Sequence, residues 1–168
     1  MDKKQPVKIA EDTLSKRTYD LLEERGVKLR DIANLVYFLQ SEFYPNITVE
    51  ECEINVKKVL TKREVQNAVI TGIELDKLAE TNSLSSPLQE ILYQDDSLYG
   101  IDEIISLSIV NIYGSIGFTN YGYIDKIKPG ILAKLNSHED GQVHTFLDDI
   151  VGAIAAAASS RIAHSIEK

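Results

Sequence analysis

Two segments near the end of the chain hold the residue types that could do chemistry. Asp148 and Asp149 are adjacent carboxylates at the head of an unusually small-residue run, Ile150 to Ser160. Ahead of them, Gly114, Gly117 and Gly122 fall within nine residues, with Ser115, Thr119 and Asn120 between them. Mg2+ takes oxygen ligands and is commonly held by one or two carboxylates plus a substrate phosphate. The acidic pair therefore reads as a hard-cation site, or more plainly as charge compensating a helix dipole. Glycines allow positive φ and close backbone approach, and the N–H groups of such a turn can cradle phosphate oxygens. Ser115, Thr119 and Asn120 would add donors. The plainer reading of this run is a turn between two buried helices. It is neither a P-loop nor a dinucleotide fingerprint. Lys126, Lys128 and Lys134 follow and supply local positive charge.

The pair must be positioned by a helix. On a wheel of about 100° per residue, His144, Asp148, Gly152, Ala155 and Ser159 align, while Leu147, Ile150, Val151 and Ile154 form another side that would face a core. The aligned stripe has little side-chain volume. It suits a close-packed neighbouring helix, a ligand against the backbone, or a seam between two copies of the chain. Of the three histidines, His138 sits in a polar loop, His144 opens the last helix, and His164 ends it beside Arg161, where a helix dipole favours positive charge. No spacing singles out a histidine nucleophile.

Helical periodicity dominates the rest. Thr13 to Arg25 reads as a helix stopped by Gly26, and Leu29 to Phe43 as an amphipathic helix carrying Ile32, Val36 and Leu39. Thr48 with Glu51, and Thr61 with Glu64, have the spacing of capping boxes. Ser86-Pro87 opens a short helix ending near Tyr93, with proline at its first position. Ile101 to Tyr113 is rich in β-branched residues, but its length favours a buried helix over a strand. Pro129 opens a short helix, and His144 to Ile166 forms the last. These elements predict an all-α, single-domain chain over residues 1–168, its alanine-rich C-terminal helix near the centre and its motifs in about residues 99–168.

The chain has 168 residues, 43% of them hydrophobic, which is enough for a sizeable core. No apolar run approaches the ~18 residues of a spanning helix, and no apolar signal region follows Met1 to Pro6, so the expectation is a soluble, cytoplasmic protein. A net charge of −8 opposes a nucleic-acid surface and leaves a helix-turn-helix reading of Arg25 to Ala33 without its basic recognition helix. The single cysteine, Cys52, excludes an intrachain disulfide and lies on a predicted buried face with Val49, Val56 and Val59.

Three short motifs resemble the phosphatidylglycerophosphatase A family: Gly114-Ser115-Ile116-Gly117, the loop His138-Glu139-Asp140-Gly141, and Asp148-Asp149. The second Asp stands where membrane-bound members usually show Glu. The whole chain is similar to the soluble Gram-positive branch, also described as low-temperature-requirement C-like. The resemblance implies a Mg2+-dependent phosphatase acting on phosphatidylglycerophosphate. Asp148 and Asp149 would hold the metal, and Asp148, Asp149 and Asp140 would be the catalytic carboxylates. Gly114, Ser115, Gly117, Thr119, Asn120 and Lys126 would bind the substrate. Membrane-bound relatives have spanning helices and this chain has none, so a peripherally met lipid and a soluble phosphomonoester both stay open as substrates. A non-catalytic module that binds a phosphorylated ligand is the alternative.

Overall fold

The structure, a computed structural model, describes residues 9–137 and 141–166. Among them lie nine α-helices and no strand: α1 (Glu11–Glu24), α2 (Leu29–Gln40), α3 (Val49–Leu60), α4 (Arg63–Glu80), α5 (Leu88–Tyr93), α6 (Ile101–Val110), α7 (Ser115–Ile127), α8 (Ile131–Asn136) and α9 (Leu147–Ile166). A short 3-10 turn, Asn111–Tyr113, links α6 to α7.

α9 is the axis of the fold. Every residue from Leu147 to Ser160 is buried, and α2, α3, α4, α6, α7 and α8 all pack against it. A helix apolar on every side has no face to give to water and must lie inside. Neighbours come close to it: a Cβ added to Gly152 in the stripe would meet Ile124 Cγ2 at 3.6 Å and Leu132 Cδ1 at 3.8 Å, and on another side a Cβ added to Gly72 of α4 would stand 2.3 Å from Ile150 Cδ1. The small-residue stripe is thus an intramolecular packing surface. Its buried hydroxyls find acceptors, Ser159 donating to the Ala155 carbonyl at 2.9 Å and Ser160 to that of Tyr113 at 2.7 Å.

The entry to α9 is pinned from several sides. Asp76 of α4 is fully buried and accepts from the backbone N–H groups of Phe146 (3.1 Å to Oδ1) and Leu147 (3.1 Å to Oδ2). These are orphan donors at a helix start, which need an acceptor. Arg25 donates to the Val143 carbonyl at 2.6 Å and pairs with Glu80, which accepts from the Val143 N–H at 3.0 Å. Thr145 donates to the Leu92 carbonyl at 2.7 Å.

The sequence expectations fare unevenly at helix ends. Thr48 and Glu51 form the expected reciprocal capping box. Thr61 does not cap α4: its hydroxyl donates back to the Lys58 carbonyl, and α4 begins after Lys62 without a side-chain cap. Pro87 is the N-cap residue of α5, one position earlier than expected. α6 is a helix, as its length suggested, but only Ser106, Ile109 and Val110 are buried, while Ile101 and Ile104 face outward. Cys52 is fully buried among core side chains, and burial pushes its thiol up to about 11.

Candidate active site at the start of the central helix

α7 runs antiparallel to α9. Its start lies by Ser160, which reaches Tyr113, and its end lies by Asp148, which meets Lys128. α7 closes at Lys128 in the left-handed region, φ 49° and ψ 52°, where its N–H donates to the Ile124 carbonyl at 2.8 Å. A lysine there is uncommon, and Pro129 prevents the helix from continuing.

The Lys128 ammonium is held by three carboxylates: 2.7 Å from Asp125 Oδ1, 2.7 Å from Asp148 Oδ2 and 3.5 Å from Asp149 Oδ1. Asp148 and Asp149 are only 8% and 7% exposed. The other Asp148 oxygen, Oδ1, accepts from the Asp149 N–H at 2.9 Å. Burial raises both carboxyls of the pair, and the repulsion of Asp148 pushes Asp149 further, up to about 8, against the pull of Lys128. Asp148 makes the shorter contact to the ammonium. Burial works against the Lys128 charge, but Asp148, Asp125 and Asp149 outweigh it and hold the ammonium protonated.

The neighbourhood is more acidic still. Asp102, in the first turn of α6, has its carboxyl raised by burial and by Asp95, and it feels Lys128 in turn. Tyr121 lies seven positions before Lys128 on α7, is 6% exposed, and has a buried hydroxyl without a hydrogen-bond partner. Its ionisation is pushed up by burial and then by Asp149 and Asp125. Ser106, fully buried, lies close enough for its hydroxyl to oppose that rise.

Among the described residues, no group of three or more carboxylate, imidazole or thiol side chains stands at metal-ligating spacing. The oxygens of Asp125, Asp148 and Asp149 converge instead on an ammonium, at contacts longer than the ~2.0–2.1 Å that Mg2+ demands. Their chemistry is nonetheless that of a hard-cation site, being all carboxylate oxygen. A divalent ion 4 Å from the Lys128 charge would meet about 8 kcal/mol of repulsion at an effective dielectric of ~20. The two cations therefore exclude each other from this spot.

The glycine run is mostly helix, not the expected loop. Only Gly114, with φ 76° and ψ −162°, lies outside a helix; Ser115, Gly117, Thr119, Asn120 and Gly122 belong to α7. The loop expectation is corrected for a physical reason: the N–H of Phe118 already donates to the Gly114 carbonyl, and the Thr119 hydroxyl donates to that of Ser115. The ten residue steps from Ser115 to Asp125 rise ~15 Å along the helix, so this motif and the acidic pair sit at opposite ends of α7. Lys126 points to solvent while Lys128 turns inward. Asp140, with His138 and Glu139, lies outside the described residues. His144 is buried, with Arg25 Nη2 at 3.4 Å from its Nδ1. Reading the sequence singled out Asp148 and Asp149 but passed over Asp125, Tyr121 and Asp102, and took Lys128 only as part of a basic supply. A signal was present: Asp125 and Lys128 stand one turn apart immediately before Pro129-Gly130, a charged pair at a helix stop.

Fold and site together define an all-α protein built round one buried helix whose head carries an acid cluster. The chain belongs to the family described as phosphatidylglycerophosphatase A, whose family model matches residues 24–164. It is 66% identical over 143 residues to the Bacillus subtilis protein YutG, a match covering 85% of this chain and 86% of that one. The crystal structure of the low temperature requirement C protein from Listeria monocytogenes is similar at a TM-score of 0.92 and 61% identity, covering 95% of this chain and all of that one. YpjQ from Bacillus subtilis has a TM-score of 0.91 at 53% identity, covering 95% and 98%.

Proposed function

We propose that this chain is a Mg2+-dependent phosphomonoesterase that hydrolyses the terminal phosphate of phosphatidylglycerophosphate to give phosphatidylglycerol. The observation that carries this reading is the buried pair Asp148 and Asp149 at the head of α9, in a member of this family. Asp148 and Asp149 would hold the cation, with Asp125 within reach of the same point. When bound, the cation supplies neutralisation of phosphate charge and a lowered pKa for an attacking water. A cation held there would favour the charged form of both carboxyls, against the burial that raises Asp148 and Asp149. Water forms the new bond to phosphorus, and the bond to the glycerol oxygen breaks.

Two substrates remain in view. Among the described residues, no helix is long and apolar enough to cross a membrane, which favours a soluble ester or a lipid met peripherally. Leu98, 92% exposed, with Ile101 and Ile104, stands at the start of α6 beside Asp102 and supports the peripheral contact. The test is phosphate release from phosphatidylglycerophosphate in detergent and from glycerol 3-phosphate, with Mg2+ and with chelator, for wild type and Asp148→Ala. Release that needs both the metal and Asp148 is expected. Full metal-dependent turnover by Asp148→Ala would end the assignment.

A further inference from the structure

We propose that the outer face of α6 is the seam of a symmetric pair: a second copy of this chain packs its own α6 antiparallel against it, about a two-fold axis between Ile104 and Ser108. The pairing does not depend on the phosphomonoesterase reading.

From Ile104 to Ile124 the sequence has no charged residue, in a chain where 26% of residues are charged. This stretch is not all interior. α6 buries Ser106, Ile109 and Val110 on one side and turns Ile101, Ile104 and Ile112 to water on the other, 48%, 59% and 38% exposed. These three, with Ser108 among them, recur at helical spacing on one face. Leu98, 92% exposed, stands just ahead of that face in the chain, and Phe118, 41% exposed, just after it. A solvated helix carries charge on its outer side; apolar side chains without charge are the composition of the middle of a protein interface. At roughly 180 Å2 for a full large side chain, these five leave about 500 Å2 of apolar surface per copy. That is near the top of what a monomer leaves in water. The exposed small polar residues Ser108, Asn111 and Ser115 bring the face towards the ~800 Å2 per partner of a stable interface.

Charge sets the direction of the pair. Asp95, Asp96, Asp102 and Glu103 stand at or just ahead of the start of α6. Past its far end, Tyr113 feels Arg161 and, less strongly, Glu64. Arg161 is in no ion pair among the described residues, and its Nε has no hydrogen-bond partner. Parallel helices would set acid on acid; antiparallel helices set each acidic start toward the other copy's Arg161. Shape agrees, since antiparallel packing lays Ile104 of each copy over Ser108 of the other, a large side chain onto a small one. It also brings Gly114 and Ser115 of the second copy to the Leu98 end of α6. The glycine motif, which α7 carries away from the acidic pair within one chain, thus returns to that end across the seam. An anionic bilayer would meet the same four acids, so the second copy is the better occupant of this face.

The test is sedimentation equilibrium of wild type, Ile104→Glu and Phe43→Glu, the last a control at an exposed apolar residue between α2 and α3. Wild type should sediment at twice its 18.8 kDa. Ile104→Glu should pair at least tenfold more weakly with its helical circular dichroism unchanged, since Ile104 faces water within one copy. Phe43→Glu should pair as wild type does. A wild type that stays monomeric at its highest soluble concentration overturns the proposal, as does Ile104→Glu that pairs undiminished. Orientation is read by mixing Ile104→Cys with Ser108→Cys under oxidation; Cys52 is buried and takes no part. The mixed disulfide-linked dimer should form in preference to either variant linked to itself, and self-linking that outpaces it overturns the antiparallel seam. This cross-linking decides alone if Ile104→Glu fails to fold. A monomeric wild type that floats with phosphatidylcholine vesicles, where Ile104→Glu does not, would give the face to lipid and overturn the pairing.

Discussion

Two glycines on the path to the acid cluster should respond to the same substitution with opposite sign. Gly72 of α4 and Gly152 of α9 are both helical, so alanine at either gains about 1 kcal/mol of helix propensity. At Gly72 the new methyl would lie 2.3 Å from Ile150 Cδ1 and 2.9 Å from Phe146 Cβ. The Ile150 methyl ends a side chain that can rotate away. Phe146 Cβ is fixed to the backbone and cannot, so relief requires α4 and α9 to part. Overpacking of this kind costs about 1–3 kcal/mol, and with the contact fixed the upper part of that range applies. The net for Gly72→Ala is a loss of about 1–2 kcal/mol. At Gly152 the nearest atoms would be Ile124 Cγ2 at 3.6 Å, then Leu132 Cδ1 and Tyr121 Cε2 at 3.8 Å, ordinary van der Waals contact. Gly152→Ala should therefore gain about 0.5–1 kcal/mol from propensity. Urea denaturation at constant slope measures both, and in Tm the two variants should separate by several degrees, at roughly 2–4 °C per kcal/mol. Gly72→Ala as stable as wild type, or Gly152→Ala clearly less stable, would refute the account of α9 as a helix closed by α4 but with room facing α7 and α8.

Two further perturbations act on the acid cluster itself. Asp76→Ala strands the buried N–H groups of Phe146 and Leu147, at about 1–3 kcal/mol each; Asp76→Asn keeps an acceptor and should lose less than half as much, both read by denaturant titration. Asp149 has its carboxyl raised to about 8 in the metal-free fold from an ordinary 3.8. The folded state thus binds the extra proton, and the contribution of Asp149 to stability is fully present below about 4 and lost as pH climbs through about 8. Wild type should accordingly lose more stability between pH 4 and 8 than Asp149→Asn does, and Mg2+ binding near neutral pH should release a proton, seen as a buffer-dependent heat. Equal pH slopes for the two proteins would count against a proton on Asp149.

The Lys128 cluster also shows why a helix start alone is a poor guide to a site. Asp148 and Asp149 could be dipole-compensating residues by type and position. What separates them from that role is their burial beside a lysine from another helix, and a third carboxylate, Asp125, that shares it. Asp125 and Lys128 are neighbours in the chain, and so are Asp148 and Asp149, but Lys128 and Asp148 are 20 residues apart.

The sequence by itself determined the all-helical class, the central place of the last helix and the importance of its acidic head. Periodicity and the absence of any charged residue between Ile150 and Ser160 leave that segment no solvent face, so its position follows from composition. The capping box at Thr48 was legible because it is a local hydrogen-bond exchange. The one read at Thr61 failed because the hydroxyl found a closer acceptor, the Lys58 carbonyl, in the helix it ends. Only the tertiary structure decided what faces the acidic pair. The glycine run near Ser115 is drawn toward the pair by motif but carried ~15 Å away by the rise of α7. Lys128, an unremarked member of a basic stretch, is brought onto the pair by the antiparallel packing of α7 against α9. Helix ends are placed by chain geometry beyond the reach of local pattern, and that placement converts two ordinary aspartates into a buried, charge-coupled site.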